Sequence, residues 1–201
     1  MPQARPDRLP TSSERHRDLV EALERLFMQE GFRSVTVDDL AGRLKCSKRT
    51  LYEIAPSKQE LFLLVVQRWL DRIRHLGWAG ALEHDDPERR LVAYLEPGVA
   101  ESRTASGVFL EDLQSYRPAM ALLENHQRER TNVLRDIIED GIRRGRFRAV
   151  HSALVAEMFL AAVGRINEPE VLDRAGIGFS DAFSEFYVLL LNGIVAPTAD
   201  S

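Results

Sequence analysis

Lys48, Arg49, Thr50 and Tyr52 fall within a single short run, interleaved with the apolar residues Leu51 and Ile54. On a helix turning about 100° per residue, the point opposite Leu51 and Ile54 lies nearest Arg49. Tyr52 and Lys48 flank it on one side, Glu53 and Thr50 on the other. One exposed face therefore gathers a guanidinium, an ammonium, two hydroxyls and a carboxylate. This is chemistry for recognition: arginine pairs through two hydrogen bonds with O6 and N7 of guanine, and the major groove of DNA admits an α-helix. The plain alternative is a solvated helix face, which most charged surfaces are. Against it stands the placement of lysine. The chain has only Lys45, Lys48 and Lys58, all inside residues 36–58, and arginine supplies every other side-chain cation apart from histidine.

Two short helices joined by a tight turn must position that face. Thr36 is a good N-cap, and Val37, Leu40, Ala41 and Leu44 follow at the spacing of one buried helical stripe. The small Ala41 allows the second helix to cross closely. The turn is Leu44-Lys45-Cys46, Ser47 caps the second helix, and Leu51 and Ile54 hold it on the core. A helix over residues 12–30 precedes the pair, with Thr11-x-x-Glu14 at capping-box spacing and a stripe of Leu19, Val20, Leu23, Leu26 and Phe27. Gly31 should end it, with Phe32 placed to touch Phe27. Ser57-x-x-Glu60 opens a longer helix over residues 58–76.

The residues quoted resemble the DNA-binding region of the tetracycline-repressor (TetR) family. The resemblance rests on Leu26-Phe27…Gly31-Phe32, Thr36-Val37-x-x-Leu40-Ala41, Ser47-x-x-x-Leu51-Tyr52 and Ser57-Lys58-x-x-Leu61, and covers about residues 15–62. Beyond these only the layout is similar, Gly145-Arg146-Phe147 included. The resemblance implies an N-terminal helix-turn-helix, a C-terminal helical domain for ligand sensing and dimerisation, and phosphate contacts from Thr36, Tyr52 and Lys58. Thr36 and Lys58 stand at helix N-termini, which attract phosphate, and Tyr52 combines a packed ring with a polar tip. The chain departs from the family's pattern twice. Lys45 replaces the usual turn glycine, at a strain of about 1–2 kcal/mol if it is left-handed. Ile54-Ala55 stands where an aromatic pair is common.

The bulk numbers bound the rest. Among 201 residues 44% are hydrophobic and the formal net charge is −4, which excludes a uniformly basic coat and confines any DNA binding to a local patch. Residues 1–62 carry 11 Lys/Arg against 10 Asp/Glu. The lone Cys46 excludes an intramolecular disulfide and a multi-cysteine metal site. The first residues lack the apolar core of a signal peptide, and the longest apolar run, residues 61–66, is far too short for a membrane span. A cytoplasmic protein is expected.

Helical periodicity continues to the C-terminal end with no strand-like alternation, so the fold expected is all-α with about nine helices. Residues 1–11 read as a disordered arm carrying Arg5 and Arg8, residues 12–57 as the helix-turn-helix domain, and residues 58–197 as the sensing and dimerising domain. Asp86-Pro87 starts a helix that Pro97-Gly98 should kink or end, and Pro118 opens a long helix stopped by Gly145. Residues 152–166 and 180–195 are apolar around much of their circumference and need burial on more than one side. They form the expected dimer interface, through Phe159, Ala162, Phe183, Phe186, Tyr187, Leu190 and Leu191.

Trp69, Tyr94, Phe109, Tyr116, Met120 and Met158 are the expected lining of a pocket for a small, largely apolar effector, although such residues are more often plain core. Cys46 reads as a small hydrophobe rather than a redox sensor. His75, His84, Asp85 and Asp86 lack a defined ligand spacing, so no metal and no cofactor is expected. Asn125 and His126 could equally line a pocket or face solvent. The DNA-contacting set is Thr36, Lys45, Ser47, Lys48, Arg49, Thr50, Tyr52 and Lys58. The function expected is a ligand-gated repressor binding a palindromic double-stranded DNA operator as a homodimer, with no enzyme activity and no membrane partner. The rivals are a helical-bundle enzyme acting on a small apolar molecule, and an interaction protein whose helix-turn-helix, with Glu53 on its reading face, is degenerate.

Overall fold

The computed structural model describes residues 12–166 and 168–195. The expectations placed on residues 1–11, including Arg5, Arg8 and the capping role of Thr11, lie outside the described residues. Among the described residues ten α-helices follow one another: α1 Ser12–Glu30, α2 Val37–Arg43, α3 Lys48–Ile54, α4 Lys58–Leu82, α5 Pro87–Ser102, α6 Gly107–Ser115, α7 Arg117–Arg143, α8 Ser152–Ile166, α9 Pro169–Ala175 and α10 Phe179–Ile194. The fold is all-α. The one helix beyond the nine expected, α9, occupies the segment with Pro169, Gly176 and Gly178 that the sequence suggests is a loop. Pro169 suits its first turn and the left-handed Gly176 ends it. Phe147 and Val195 form one isolated antiparallel bridge.

The chain forms two compact units. One runs to Val65 and includes Ser106–Asp112; the other comprises Val66–Ala105 and the chain from Leu113 onward. By this division α4 as far as Val65 and most of α6 belong with the helix-turn-helix, whereas the sequence suggested a boundary at residues 57–58.

In the first unit Leu23, Phe27, Leu40, Leu51, Leu61, Phe62 and Phe109 are fully buried. Phe32 stacks on Phe62 at 4.1 Å and meets Phe27 edge-on at 6.5 Å, and Phe62 meets Phe109 at 5.7 Å. The contact expected between Phe27 and Phe32 is thus part of a four-ring cluster. Behind it, the end of α1 is held by a residue distant in sequence. Asp112 Oδ2 accepts hydrogen bonds from Phe32 N at 2.6 Å and Arg33 N at 3.1 Å. Gly31 makes this possible: its φ is 74°, and a Cβ there would lie 2.5 Å from the Asp112 carboxylate.

The second unit packs α5 against α7 and α10, and α7 against α8. Its core includes Leu91, Tyr94, Leu95, Leu134, Ile137, Ile138, Phe159, Phe183 and Tyr187. Two expected helix ends move. α5 runs on through Pro97-Gly98 to Ser102, because proline removes only one intrahelical bond and the packed neighbours hold the following turn. α4 continues to Leu82 rather than stopping near residue 76, with Gly77 and Gly80 facing the α5 backbone at Tyr94 and Ala93.

Candidate nucleic-acid interface and internal cavity

The helix pair α2–α3 is built by its caps. The Thr36 hydroxyl accepts from Asp39 N at 3.1 Å, while Thr36 N donates back to the Asp39 carboxylate at 2.9 Å, completing a capping box. The Thr36 hydroxyl and amide together hold the Asp39 carboxyl below its ordinary range. Ser47 Oγ accepts from Thr50 N at 3.1 Å at the start of α3. Between the helices Lys45 is left-handed, with φ 51°, the only non-glycine residue with positive φ among the described residues. The strain weighed from sequence is therefore present. Cys46 is half-buried, and burial pushes its thiol pKa up, which favours packing over redox chemistry.

Leu51 is fully buried, and the opposite face of α3 carries the expected groups. The Arg49 side chain is 89% exposed and pairs with Glu53 at 3.0 Å. Lys48 pairs with Asp38 of α2 at 2.6 Å, which raises its pKa. Tyr52 is 47% exposed. Thr36, Lys45 and Ser47 are exposed and Thr50 is half-exposed. Both cations of the face are held by carboxylates in water, and such exposed pairs contribute little, so phosphates or base edges can replace them at small cost. Lys58 differs: its ammonium donates to Val35 O at 2.7 Å and lies 5.5 Å from the Phe32 ring centroid. That leaves it fewer free N–H donors than its place at the start of α4 suggested.

The second unit contains a partly open cavity of about 50 Å³ lined by Trp69, Leu70 and Ile73 of α4, Gly98 and Ser102 of α5, and residues of α7, α8 and α10. Of the expected pocket residues only Trp69 lines it. Tyr94 is buried beside it, and its hydroxyl donates to Arg130 O at 3.2 Å. Phe109 belongs to the aromatic cluster of the first unit, Tyr116 is the N-cap of α7, Met120 lines an open surface groove, and Met158 is 63% exposed. Their helical spacing could not say which core they face. His126 lines the cavity, whereas Asn125 is exposed and donates to Glu129. Asp86, weighed from sequence as a metal ligand, caps α5 by accepting from Glu88 N and Arg89 N.

The sequence reading missed Gly98, Gln127 and Arg130, all on the cavity wall. Arg130 had a signal. Ala119, Leu123, His126, Leu134 and Ile137 form the buried stripe of α7, and an arginine stands in that same register.

Among the expected interface residues Phe159, Phe183 and Tyr187 are buried in the unit's own core, and all three also line the cavity. Each has one inward face on a doubly apolar helix, so they are not surface residues. Ala162, Phe186, Leu190 and Leu191 are half-buried, and Leu154 and Met158 of α8 and Val188 and Leu189 of α10 are exposed. No helix among the described residues is long and apolar enough to cross a membrane.

Residues 19–65 match the family of bacterial regulatory proteins, tetR family. The chain is 25% identical over 182 residues to the uncharacterized HTH-type transcriptional regulator YvaF of Bacillus subtilis (strain 168), covering 86% of this chain and 91% of that protein. Among solved structures, the TetR family regulator PfmR of Thermus thermophilus is 25% identical with a TM-score of 0.60, over 87% of this chain and 97% of that one. A transcriptional regulator from Saccharomonospora viridis in complex with choline superposes with a TM-score of 0.73 at 18% identity, over 92% of this chain and 100% of that one.

Proposed function

We propose that this chain, whose residues 19–65 match the tetR family of bacterial regulatory proteins, is a DNA-binding transcriptional regulator acting as a ligand-gated repressor, a homodimer on a palindromic operator that a small organic effector releases. The observation that carries the DNA-contacting assignment is the exposed α3 face, where Lys48, Arg49 and Tyr52 surround a helix anchored by Leu51. Arg49 reads a base edge in the major groove, and Lys48, Tyr52, Thr36, Ser47, Thr50 and Lys45 hold phosphates. Lys58 contributes through the donors that Val35 leaves free.

One such helix reads too few base pairs for useful specificity, so two copies read half-sites about one helical turn apart. The exposed apolar residues Leu154, Met158, Val188 and Leu189, with half-buried Ala162, Phe186, Leu190 and Leu191, form the self-complementary face between α8 and α10 of each copy. The effector occupies the cavity beside Trp69. α4 is the lever, because Lys58 stands at its start and Trp69, Leu70 and Ile73 of the cavity wall lie along its body. Effector binding shifts the dimer only by its differential affinity for DNA-competent and DNA-incompetent states.

Gel shifts on the DNA upstream of the chain's own operon, at two salt concentrations, test the reading. Specific binding that weakens steeply with salt is expected. Absence of salt-sensitive, sequence-specific binding would remove the DNA-contacting assignment.

A further inference from the structure

Arg130 is set apart among the described arginines by its depth. It is 6% exposed and lines the cavity, yet among the described residues no carboxylate lies within ion-pairing distance of it. The chain pairs its other inward-leaning arginines: Arg72 with Glu101, Arg90 with Asp140, and Arg74 with both Asp71 and Glu129. Arg130 instead donates Nη2–H to Tyr94 O at 2.9 Å and lies 5.0 Å from the Tyr94 ring centroid. A guanidinium stays charged at any physiological pH, and a buried charge without a counter-ion is costly.

The neighbouring polar groups point the same way. His126 is 5% exposed, lines the cavity, and its Nδ1 has no hydrogen-bond partner. Arg130 Nη1 and Tyr187 Oη lie 2.8 and 3.1 Å from the point where a Cβ on residue 98 would stand, so Gly98 lets both polar tips converge at the α5 backbone. Burial, then the positive charges of Arg130 and Arg74, lower the His126 pKa to about 3, so the imidazole is neutral and no negative group offsets the field. Trp69, Phe159, Phe179 and Phe183 make up much of the remaining wall.

We infer that this cavity binds a small organic monocarboxylate. The carboxylate is held by the Arg130 guanidinium and the Tyr187 hydroxyl, with His126 donating as its Nδ1–H tautomer, and the apolar body lies among Trp69, Phe159 and Phe183. The site deepens the proposed function, on which it rests, by naming the effector's chemistry. A single guanidinium among aromatic walls suits a monoanion with a hydrocarbon body. A phosphate dianion would need more donors, and an ammonium would face an unscreened positive charge. At about 50 Å³ the cavity is smaller than the roughly 150 Å³ that accepts a benzene ring, so the acid's body is short and its entry displaces side chains of the wall.

Calorimetric titration and thermal shift of the full chain test this with butyrate, hexanoate, octanoate and benzoate at up to millimolar concentration. Hexanamide, hexyltrimethylammonium and inorganic phosphate serve as controls. At least one acid should bind, at least about tenfold tighter than hexanamide, as expected for a charge-assisted contact. Gly98→Ala, which removes no group but fills the corner between Arg130 and Tyr187, and Tyr187→Phe, which keeps the ring, should each weaken the acid about tenfold. Arg130→Met should abolish the preference for acid over amide. If that variant does not fold, the other two carry the result. Equal binding of acid and amide, binding of phosphate or the ammonium in place of the acids, or no response to any acid would overturn the assignment. Gel shifts run alongside separate the two readings. Intact operator binding without acid binding removes the carboxylate site and leaves the regulator. Acid binding with no effect on DNA removes ligand gating and leaves the site.

Discussion

At the scale of single residues, the exposed face of α3 contains cations already balanced by exposed carboxylates. Arg49 on Glu53 and Lys48 on Asp38 can exchange partners cheaply, because pairs this exposed are screened by solvent and contribute little. Arg49→Ala should therefore lower operator affinity and flatten preference among operator variants by about 1–3 kcal/mol at one base position. Lys48→Ala should weaken all DNA alike and shallow the salt dependence. Competition gel shifts against single-base variants distinguish the two, and an unchanged base preference in Arg49→Ala would mean that another residue reads the bases. Lys45 allows a second test. Its left-handed backbone favours glycine, so Lys45→Gly should leave urea stability unchanged or raised by up to about 1 kcal/mol while weakening DNA binding.

His126 makes a residue-scale prediction about pH. Its folded pKa is lowered to about 3 from 6.5, chiefly by burial. Above pH 6.5 both folded and unfolded chains carry it neutral and it contributes nothing to the pH dependence. As pH falls from 6.5 towards 3 the unfolded chain takes up a proton that the folded chain refuses, so stability declines by up to about 1.4 kcal/mol per pH unit. Urea unfolding at pH 7 and pH 5 should reveal that loss, and His126→Gln should reduce it.

At the scale of elements, the helix-turn-helix depends on a contact from far along the chain. Asp112 on α6 accepts from the amides of Phe32 and Arg33 at the end of α1. A buried amide left without an acceptor costs about 1–3 kcal/mol. Asp112→Ala should destabilise the chain by about 2 kcal/mol in urea unfolding, and Asp112→Asn, which keeps one acceptor oxygen, by less. Equal stability of all three would mean that water replaces the carboxylate without loss. α4 is the second such element, with residues in both compact units.

At the scale of the whole molecule, the proposed dimer depends on which apolar residues remain exposed. Leu189 is 70% exposed and Met158 63%, and a carboxylate buried at their centre would be strongly unfavourable. Met158→Glu with Leu189→Glu should give a monomer in sedimentation and abolish high-affinity operator binding while the helical content stays unchanged. A dimer that survives both substitutions would move the interface elsewhere.

Local signals in the chain were sufficient for the helices of the first compact unit and for the face of α3. Thr36 and Ser47 cap through atoms a few residues away, and the period of Leu40, Leu51 and Ile54 sets which side faces water. Those are short-range effects, readable from spacing. What lay beyond the sequence were relations between distant segments: Asp112 closing α1, α5 continuing through Pro97, and the division of aromatic residues between two cores. Phe109, Trp69, Phe159 and Met158 all have suitable helical spacing, yet only packing sends one to the first core, two to the cavity and one to solvent. Arg130 is the sharpest case. Its place in the α7 stripe is visible in the sequence, but its want of a carboxylate partner depends on every helix around it. Periodicity fixes the side of a helix that is buried; only the tertiary structure supplies what that side is buried against.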